Sequence, residues 1–315
     1  MGKQLFGTDG IRGVAGEYPL DPATVYAFGV ALADDALRNH GGGEPPRILI
    51  GADTRESGPW IAGMVAGGLA SRGVAADYAG VITTPGVAYL TRTGPYCAGV
   101  MISASHNPFR DNGIKVFSHS GFKLPDSEEH EIESEILRLR EAGVTPKSAE
   151  SNSDDSLDER YLDFLVSTVS TRFDGMRIVV DCGNGAACRL APRLFARLGS
   201  EVVMLNDSPD GRNINLNCGA LHVEGLREAV LERGAGFGVA FDGDADRAIF
   251  VAASGKIVDG DAVLLTAGRA LKAAGKLRGD TVVATVMSNL GLERALASSG
   301  IRMTRTPVGD KYVLE

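Results

Sequence analysis

Short apolar runs along this chain enter polar, glycine-containing loops, and helix-like stretches follow them. That alternation occurs three times. RILIGADTRESG (47–58) leads into a helix-like segment that ends near Gly73 and is followed by the apolar VAADYAGV. RIVVDCGNGA (177–186) leads to a helix ending near Gly199, then EVVMLND, and DTVVATVMSN (280–289) leads to one ending near Gly300, then IRMTRT. Each unit reads strand, loop, helix, glycine stop, strand. Strands that alternate with helices imply βαβ crossovers. The predicted fold class is therefore α/β, with tandem related domains whose mixed, mostly parallel sheets are flanked by helices.

The polar stretch SAESNSDDSLDE (148–159) reads as a linker, and a second boundary falls near GKIVDGDA (255–262). The expected domains are 1–150, 155–257 and an incomplete third domain, 258–315. Before the linker, DSEEHEIESEILRLR (126–140) places Ile132, Ile136 and Leu139 on one stripe, which predicts an amphipathic helix packed on the first domain.

Hydrophobic residues make up 44% of the 315 positions, enough for sizeable cores, and the 41 glycines suit many tight strand-to-helix turns. The net charge of −8 argues against a nucleic-acid partner but not against a phosphate ligand, which needs only local positive charge. No stretch approaches a membrane span, and the N-terminus carries no apolar run of signal-peptide length. Cys97, Cys182, Cys188 and Cys218 form no C-x-x-C pair and read as reduced thiols, so the expected setting is cytoplasmic.

Three loops carry candidate chemistry. In GVAFDGDADRAIF (238–250) an apolar strand delivers Asp242, Asp244 and Asp246, followed by Arg247. Carboxylates this close repel one another unless a cation sits among them, and an all-oxygen set favours a hard ion such as Mg²⁺ or Ca²⁺. The EF-hand pattern fails, because its glycine and glutamate positions hold Arg247 and Ala253. A solvated acidic turn is the alternative. In GVMISASHNPFRDNGIKVF (99–117) a strand stops at a serine-rich turn containing Ser105 and His106. The motif is not G-x-S-x-G, and adjacent residues rarely point side chains at each other, so His106 is a poor base for Ser105. An ordinary Ser-Asn-Pro turn remains open there. In FGTDGIRG (6–13) glycines surround Arg12, as suits close approach to a phosphate or a common glycine turn. DCGNGAAC (181–188) imitates a dinucleotide fingerprint, but Cys188 stands at its third glycine position, and a tight strand-to-helix turn explains it.

Taken together and in this order, ISASHNP (102–108), DGDADR (242–247) and FGTDGIRG resemble the phosphoserine, magnesium and arginine loops of the α-D-phosphohexomutase superfamily. The resemblance implies related α/β domains around a central cleft. KQLFGTDGIRG, NINLNCGALH (213–222) and TPVGDKYV (306–313) look like the branch of bacterial phosphoglucosamine mutases. Phosphomannomutase/phosphoglucomutase enzymes, the alternative branch, usually carry histidine where this chain has Asp310. The superfamily's third-domain sugar-selecting loop and its fourth, phosphate-binding domain are not found here. The chain is thus expected to be part of a longer enzyme and to turn over little by itself, leaving a sugar-phosphate-binding fragment as a further alternative.

The resemblance implies that phospho-Ser105 passes its phosphoryl group to a hexosamine monophosphate. A bisphosphorylated sugar then returns its other phosphate, interconverting glucosamine 6-phosphate and glucosamine 1-phosphate. Mg²⁺ would sit on Asp242, Asp244, Asp246 and a phosphate oxygen of Ser105. Arg247 and Arg12 would spread charge over the phosphate, and Asp310 would stand at the third-domain edge of the cleft as a candidate substrate-binding residue. Lys115 is the candidate for proton transfer, its pKa lowered by a nearby arginine or metal. His106 is expected to support the loop. The expected partners are a hexosamine phosphate and a second copy of the chain as a homodimer.

Overall fold

The computed structural model describes residues 5–7, 9–39, 41–154 and 156–314. Residues 1–4 and Thr8 of the N-terminal motifs lie outside the described residues, as does the side chain of Lys311. In chain order the first layer system comprises β1 (Phe6–Gly7), β2 (Gly10–Val14), α1 (Pro22–Arg38), β3 (Arg47–Ala52), α2 (Gly58–Ala70), β4 (Ala75–Val81), α3 (Thr84–Thr93), β5 (Ala98–Ile102), β6 (Asp111–Ser118), α4 (Asp126–Glu141) and β7 (Asn152–Ser153). The second comprises α5 (Ser156–Ser167), β8 (Arg177–Asp181), α6 (Ala187–Arg197), β9 (Glu201–Leu205), α7 (Glu224–Glu232), β10 (Phe237–Phe241), β11 (Ala248–Ala252) and β12 (Ile257–Val258). The third comprises α8 (Gly260–Ala273), β13 (Thr281–Thr285), α9 (Leu290–Ser298), β14 (Arg302–Thr306) and α10 (Asp310–Leu314).

The first sheet has the order β1-β2-β6-β5-β3-β4-β7, the second β12-β11-β10-β8-β9, and the third pairs β13 with β14. In each, the repeated unit forms the parallel part: β3 with β4, β8 with β9, β13 with β14. β2, β6, β11 and β12 pair antiparallel on the flanks. β3 is apolar on both faces because helices cover both: Ile48 and Ile50 join the cluster with Phe28 and Ile61, and Leu49 joins the one with Val87 and Leu90. Helix starts follow local rules. Asp21 caps α1 before Pro22, and Asp259 caps α8, each side-chain oxygen accepting from a backbone N–H. α4 lies on the first domain through Ile132, Ile136 and Leu139, as its stripe predicts.

The described residues of 148–159 are structured, not a free linker. The N–H of Ala149 donates to the Gly63 carbonyl, Asn152–Ser153 pair with Asp77–Tyr78, and α5 begins at Ser156. Pairing on a sheet edge uses backbone groups, so a polar sequence does not betray it. α5 then buries Leu157, Tyr161 and Leu162 with Ile82, Val87 and Leu90 of the first layer system and Leu190 of the second.

Loops that leave the carboxyl ends of β3, β5, β8 and β10 gather on one side. In α/β sheets that is where ligands are held. They contain Asp53–Ser57, Ser103–Arg110, Cys182–Ala186 and Asp242–Arg247.

Candidate active site

Ser105 is fully buried, and its backbone is left-handed, with φ of 53°. A non-glycine residue in that region is strained and persists only where its surroundings hold it. Here they do. Its N–H donates to Ser103 Oγ at 2.9 Å, and its carbonyl accepts from Arg55 Nη2 at 2.9 Å and from Asn215 Nδ2 at 2.9 Å. Arg55 also donates to the carbonyls of Asn107 and Pro108, and its Nε donates to Asp53 Oδ2 at 2.9 Å. Asp53 in turn accepts from the Ser103 hydroxyl at 2.6 Å. Arg55 and Asp53 are both shut off from solvent, so this ion pair is a fixed internal brace for the serine turn.

The turn aims the Ser105 hydroxyl at the acidic loop, where it donates to Asp242 Oδ2 at 2.5 Å. The same bend brings His106 Nδ1 to 3.4 Å from Oγ, closer than the adjacency argument allowed. That argument assumed an extended or helical backbone, and the left-handed φ at Ser105 removes the assumption. Burial, then Arg247 and Arg12, lower the His106 pKa and favour the neutral ring, but Asp242 is the nearer acceptor.

Asp242, Asp244 and Asp246 bring carboxylate oxygens within 4.8 Å of one another. Burial and then the charges of Asp244 and Asp246 raise the Asp242 pKa to about 7. Asp244 Oδ2 accepts from Thr84 Oγ1 at 2.6 Å and Lys115 Nζ at 2.8 Å. Asp244 Oδ1 is buried and has no hydrogen-bond partner among the described residues. A buried carboxylate oxygen without a partner is costly, and a cation would satisfy it. The oxygen-only donor set fits a hard divalent ion. The loop is held against the β8–α6 turn, where the Ala186 N–H donates to the Gly243 carbonyl. A Cβ on Gly185 would lie 2.4 Å from that oxygen, which explains a glycine in DCGNGAAC without a dinucleotide.

Lys115 is almost wholly buried. Its ammonium reaches Asp244 at 2.8 Å, Asp246 at 3.1 Å and Asp9 at 3.2 Å. Burial opposes its charge, but Asp244, Asp246 and Asp9 outweigh that and raise its pKa. The lowering expected from a nearby arginine is therefore corrected: carboxylates surround the amine and favour its protonated form. Arg12 contacts Asp9 and donates to the Ala104 carbonyl at 3.4 Å, while its buried Nε has no partner among the described residues. Arg247 is 51% exposed, with Nε 3.8 Å from Asp246 and 4.0 Å from Asp242, so most of its donors face outward.

Asp310 does not touch the aspartate loop. It begins α10 and pairs with Lys123 at 3.0 Å, and Lys123 also holds Asp9 at 2.6 Å. Burial raises the Asp9 pKa, but Lys115, Lys123 and Arg12 overcome it and hold the carboxyl well below the usual range. A cavity of about 590 Å³ beside this chain is lined by Lys123, Leu124, Pro125, Asp310 and Leu314. Sequence reasoning missed Asp9, Lys123, Asp53, Arg55, Ser103, Thr84 and Asn215. The one available signal was position: Asp53 and Arg55 stand directly after the first repeated strand, where the aspartate loop stands after β10.

Family models bear on these arrangements. Those described as phosphoglucomutase/phosphomannomutase, alpha/beta/alpha domains I, II and III match residues 3–143, 159–255 and 259–315. The phosphoglucosamine mutase of Solibacter usitatus is 68% identical over 315 residues, which is 100% of this chain and 70% of that protein. The phosphoglucosamine mutase of Koribacter versatilis is 53% identical over 321 residues, covering 99% of this chain and 69% of that protein. A solved phosphoglucomutase/phosphomannomutase family protein from Burkholderia thailandensis superposes with a TM-score of 0.82 at 25% identity, over 98% of this chain and 67% of that one. On this similarity, and on a site built from a buried serine facing three aspartates, the chain belongs to the phosphoglucosamine mutase family of the α-D-phosphohexomutases.

Proposed function

We propose that this isomerase interconverts glucosamine 6-phosphate and glucosamine 1-phosphate through a phosphoryl group carried on Ser105. The observation that carries the reading is the Ser105 hydroxyl, held in a left-handed turn and directed at the three-aspartate loop 2.5 Å away. Phosphoryl transfer needs positioning and charge neutralisation more than covalent help. Arg55 and Asn215 supply positioning by gripping the carbonyl of Ser105. Arg12 and Arg247 offer guanidinium donors that suit the equatorial oxygens of a phosphoryl group. Asp242, Asp244 and Asp246 would hold a magnesium ion, which supplies Lewis-acid polarisation of a phosphoryl oxygen when bound.

Lys115, protonated in its carboxylate cage, gives its proton to Ser105 Oγ as that oxygen leaves the phosphoryl group, while the attacking sugar hydroxyl releases its proton to solvent. In the return transfer the neutral amine takes the proton of the attacking Ser105 hydroxyl, and the leaving sugar oxygen takes one from solvent. His106 supports the turn. Asp310, linked to Asp9 through Lys123, is a candidate substrate-binding carboxylate at the third-domain edge of the site. No helix among the described residues is long and apolar enough to cross a membrane, and the four cysteines are free, which supports a cytoplasmic setting.

The test has two parts. Phosphopeptide mapping after exposure to a bisphosphorylated hexosamine should find phosphate on Ser105, and stoichiometric phosphate on Ser103 instead would overturn the assignment. kcat/KM should be highest for glucosamine phosphates among glucosamine, mannose and glucose monophosphates. A higher value for mannose 1-phosphate would favour the phosphomannomutase/phosphoglucomutase reading.

A further inference from the structure

We propose that Thr84 is a positioning residue for Asp244, presenting one oxygen of that carboxylate to the metal ion from across the boundary between the first two domains. The inference rests on the reading of the three aspartates as a magnesium site. Thr84 is the first residue of α3, and Asp244 lies in the loop after β10. The Thr84 N–H donates to the Asp244 backbone carbonyl at 2.9 Å, and the Thr84 hydroxyl donates to Asp244 Oδ2 at 2.6 Å. One residue thus fixes both the main chain and the side chain of the other. The first bond sets where Asp244 sits, and the second sets how its carboxylate plane is turned.

The helix does not need the Thr84 hydroxyl for its own capping, since Thr83 does that by accepting the Gly86 N–H at 3.2 Å. The hydroxyl is free to leave the helix and meet the aspartate. Lys115 donates to the same Oδ2 at 2.8 Å, so that oxygen is taken by two donors. The other oxygen is buried and has no partner among the described residues. Thr84 and Lys115 together leave a single carboxylate oxygen for the ion, and Thr84 is the member of the pair whose loss removes no charge. It is buried, as is Asp244, so water does not readily replace the hydroxyl.

Outer partners that orient a metal ligand are typically worth about 10- to 100-fold in metal affinity. Thr84→Val keeps the shape and the backbone bond and deletes only the hydroxyl donor. Titration of Mg²⁺ alone into metal-free protein, followed calorimetrically, should show affinity about 10- to 100-fold weaker for Thr84→Val, with Thr84→Ser within about threefold of the parent. The melting temperature in chelator should fall modestly for Thr84→Val, which deletes a buried hydrogen bond, and stay close to the parent value for Thr84→Ser.

Asp244→Asn separates the two hypotheses. If it abolishes binding while Thr84→Val binds as tightly as the parent, or tighter, the role of Thr84 is overturned and the metal site stands. If Asp244→Asn binds Mg²⁺ as the parent does, the metal reading itself fails. Should Thr84→Val not fold, Thr84→Ala and Thr84→Ser replace it: equal affinities overturn the proposal, and an advantage of about tenfold for serine supports it.

Discussion

At the scale of single residues, the chemistry is set by carboxylates that cannot all be charged and solvated at once. Asp242 is the clearest case, its pKa raised from 3.8 to about 7 by burial and by Asp244 and Asp246. Between those two values the folded chain holds a proton that the unfolded chain has released. Without metal, the fold therefore loses stability as pH rises from 3.8 toward 7. A bound divalent ion reverses this by favouring the ionised form. Magnesium should accordingly raise the melting temperature more at pH 8 than at pH 5, and thermal unfolding with and without the ion measures it. An equal rise at both pH values would show that Asp242 is not protonated in the metal-free state. Lys115 gives a second prediction. Its replacement by methionine removes the proton donor, so kcat should fall by about 10²- to 10⁴-fold. A variant that retains kcat would leave Lys115 as an electrostatic prop only.

At the scale of elements, β3, β5 and β10 each end in a loop that contributes one part of the site. The β3 loop braces with Asp53 and Arg55, the β5 loop presents Ser105, and the β10 loop presents the aspartates. α5 helps to keep the loops of the two sheets in register, alongside the direct bonds between them. Leu157, at the start of α5, is fully buried in a cluster that includes Ile82 and Leu90 from one layer system and Leu190 from the other. Arg193 and Arg197 of α6 also reach back to Glu159. Leu157→Ala should therefore cost about 2–5 kcal/mol in urea unfolding and loosen both systems in a single transition. Two resolved transitions, only one of them shifted, would show that α5 belongs to a single domain.

At the scale of the whole molecule, the third layer system meets the site through a charged chain, Asp310–Lys123–Asp9. Asp310 is 72% exposed, and ion pairs so open to solvent contribute roughly 0.2–1 kcal/mol. Such a contact positions a domain without holding it rigidly. Asp310→Asn, which breaks the pair with Lys123 and leaves Lys123–Asp9 in place, should leave the melting temperature nearly unchanged while speeding amide hydrogen exchange across β14 and α10. High salt should act on the parent in the same direction. Unchanged exchange in that region would mean that apolar packing, not the ion pair, sets its placement.

The sequence by itself determined the repeated strand–loop–helix–strand unit, because short apolar runs, the glycine-containing loops after them and the glycine stops of the helices are local patterns in side-chain order. It also determined the three loops, because a serine turn, an aspartate triplet and a glycine-flanked arginine are local patterns. What it could not carry were contacts between distant positions. Arg55 reads as one more charged residue until the fold buries it beneath Ser105, and Thr84 reads as an ordinary helix start until α3 meets Asp244. The left-handed φ at Ser105, which brings His106 within reach, is held by Arg55 and Asn215 from elsewhere in the chain together with the neighbouring Ser103. The direction of the Lys115 shift likewise depends on three carboxylates that only folding assembles: Asp9, Asp244 and Asp246. Electrostatics and hydrogen bonding act through space, and only the tertiary structure sets those distances.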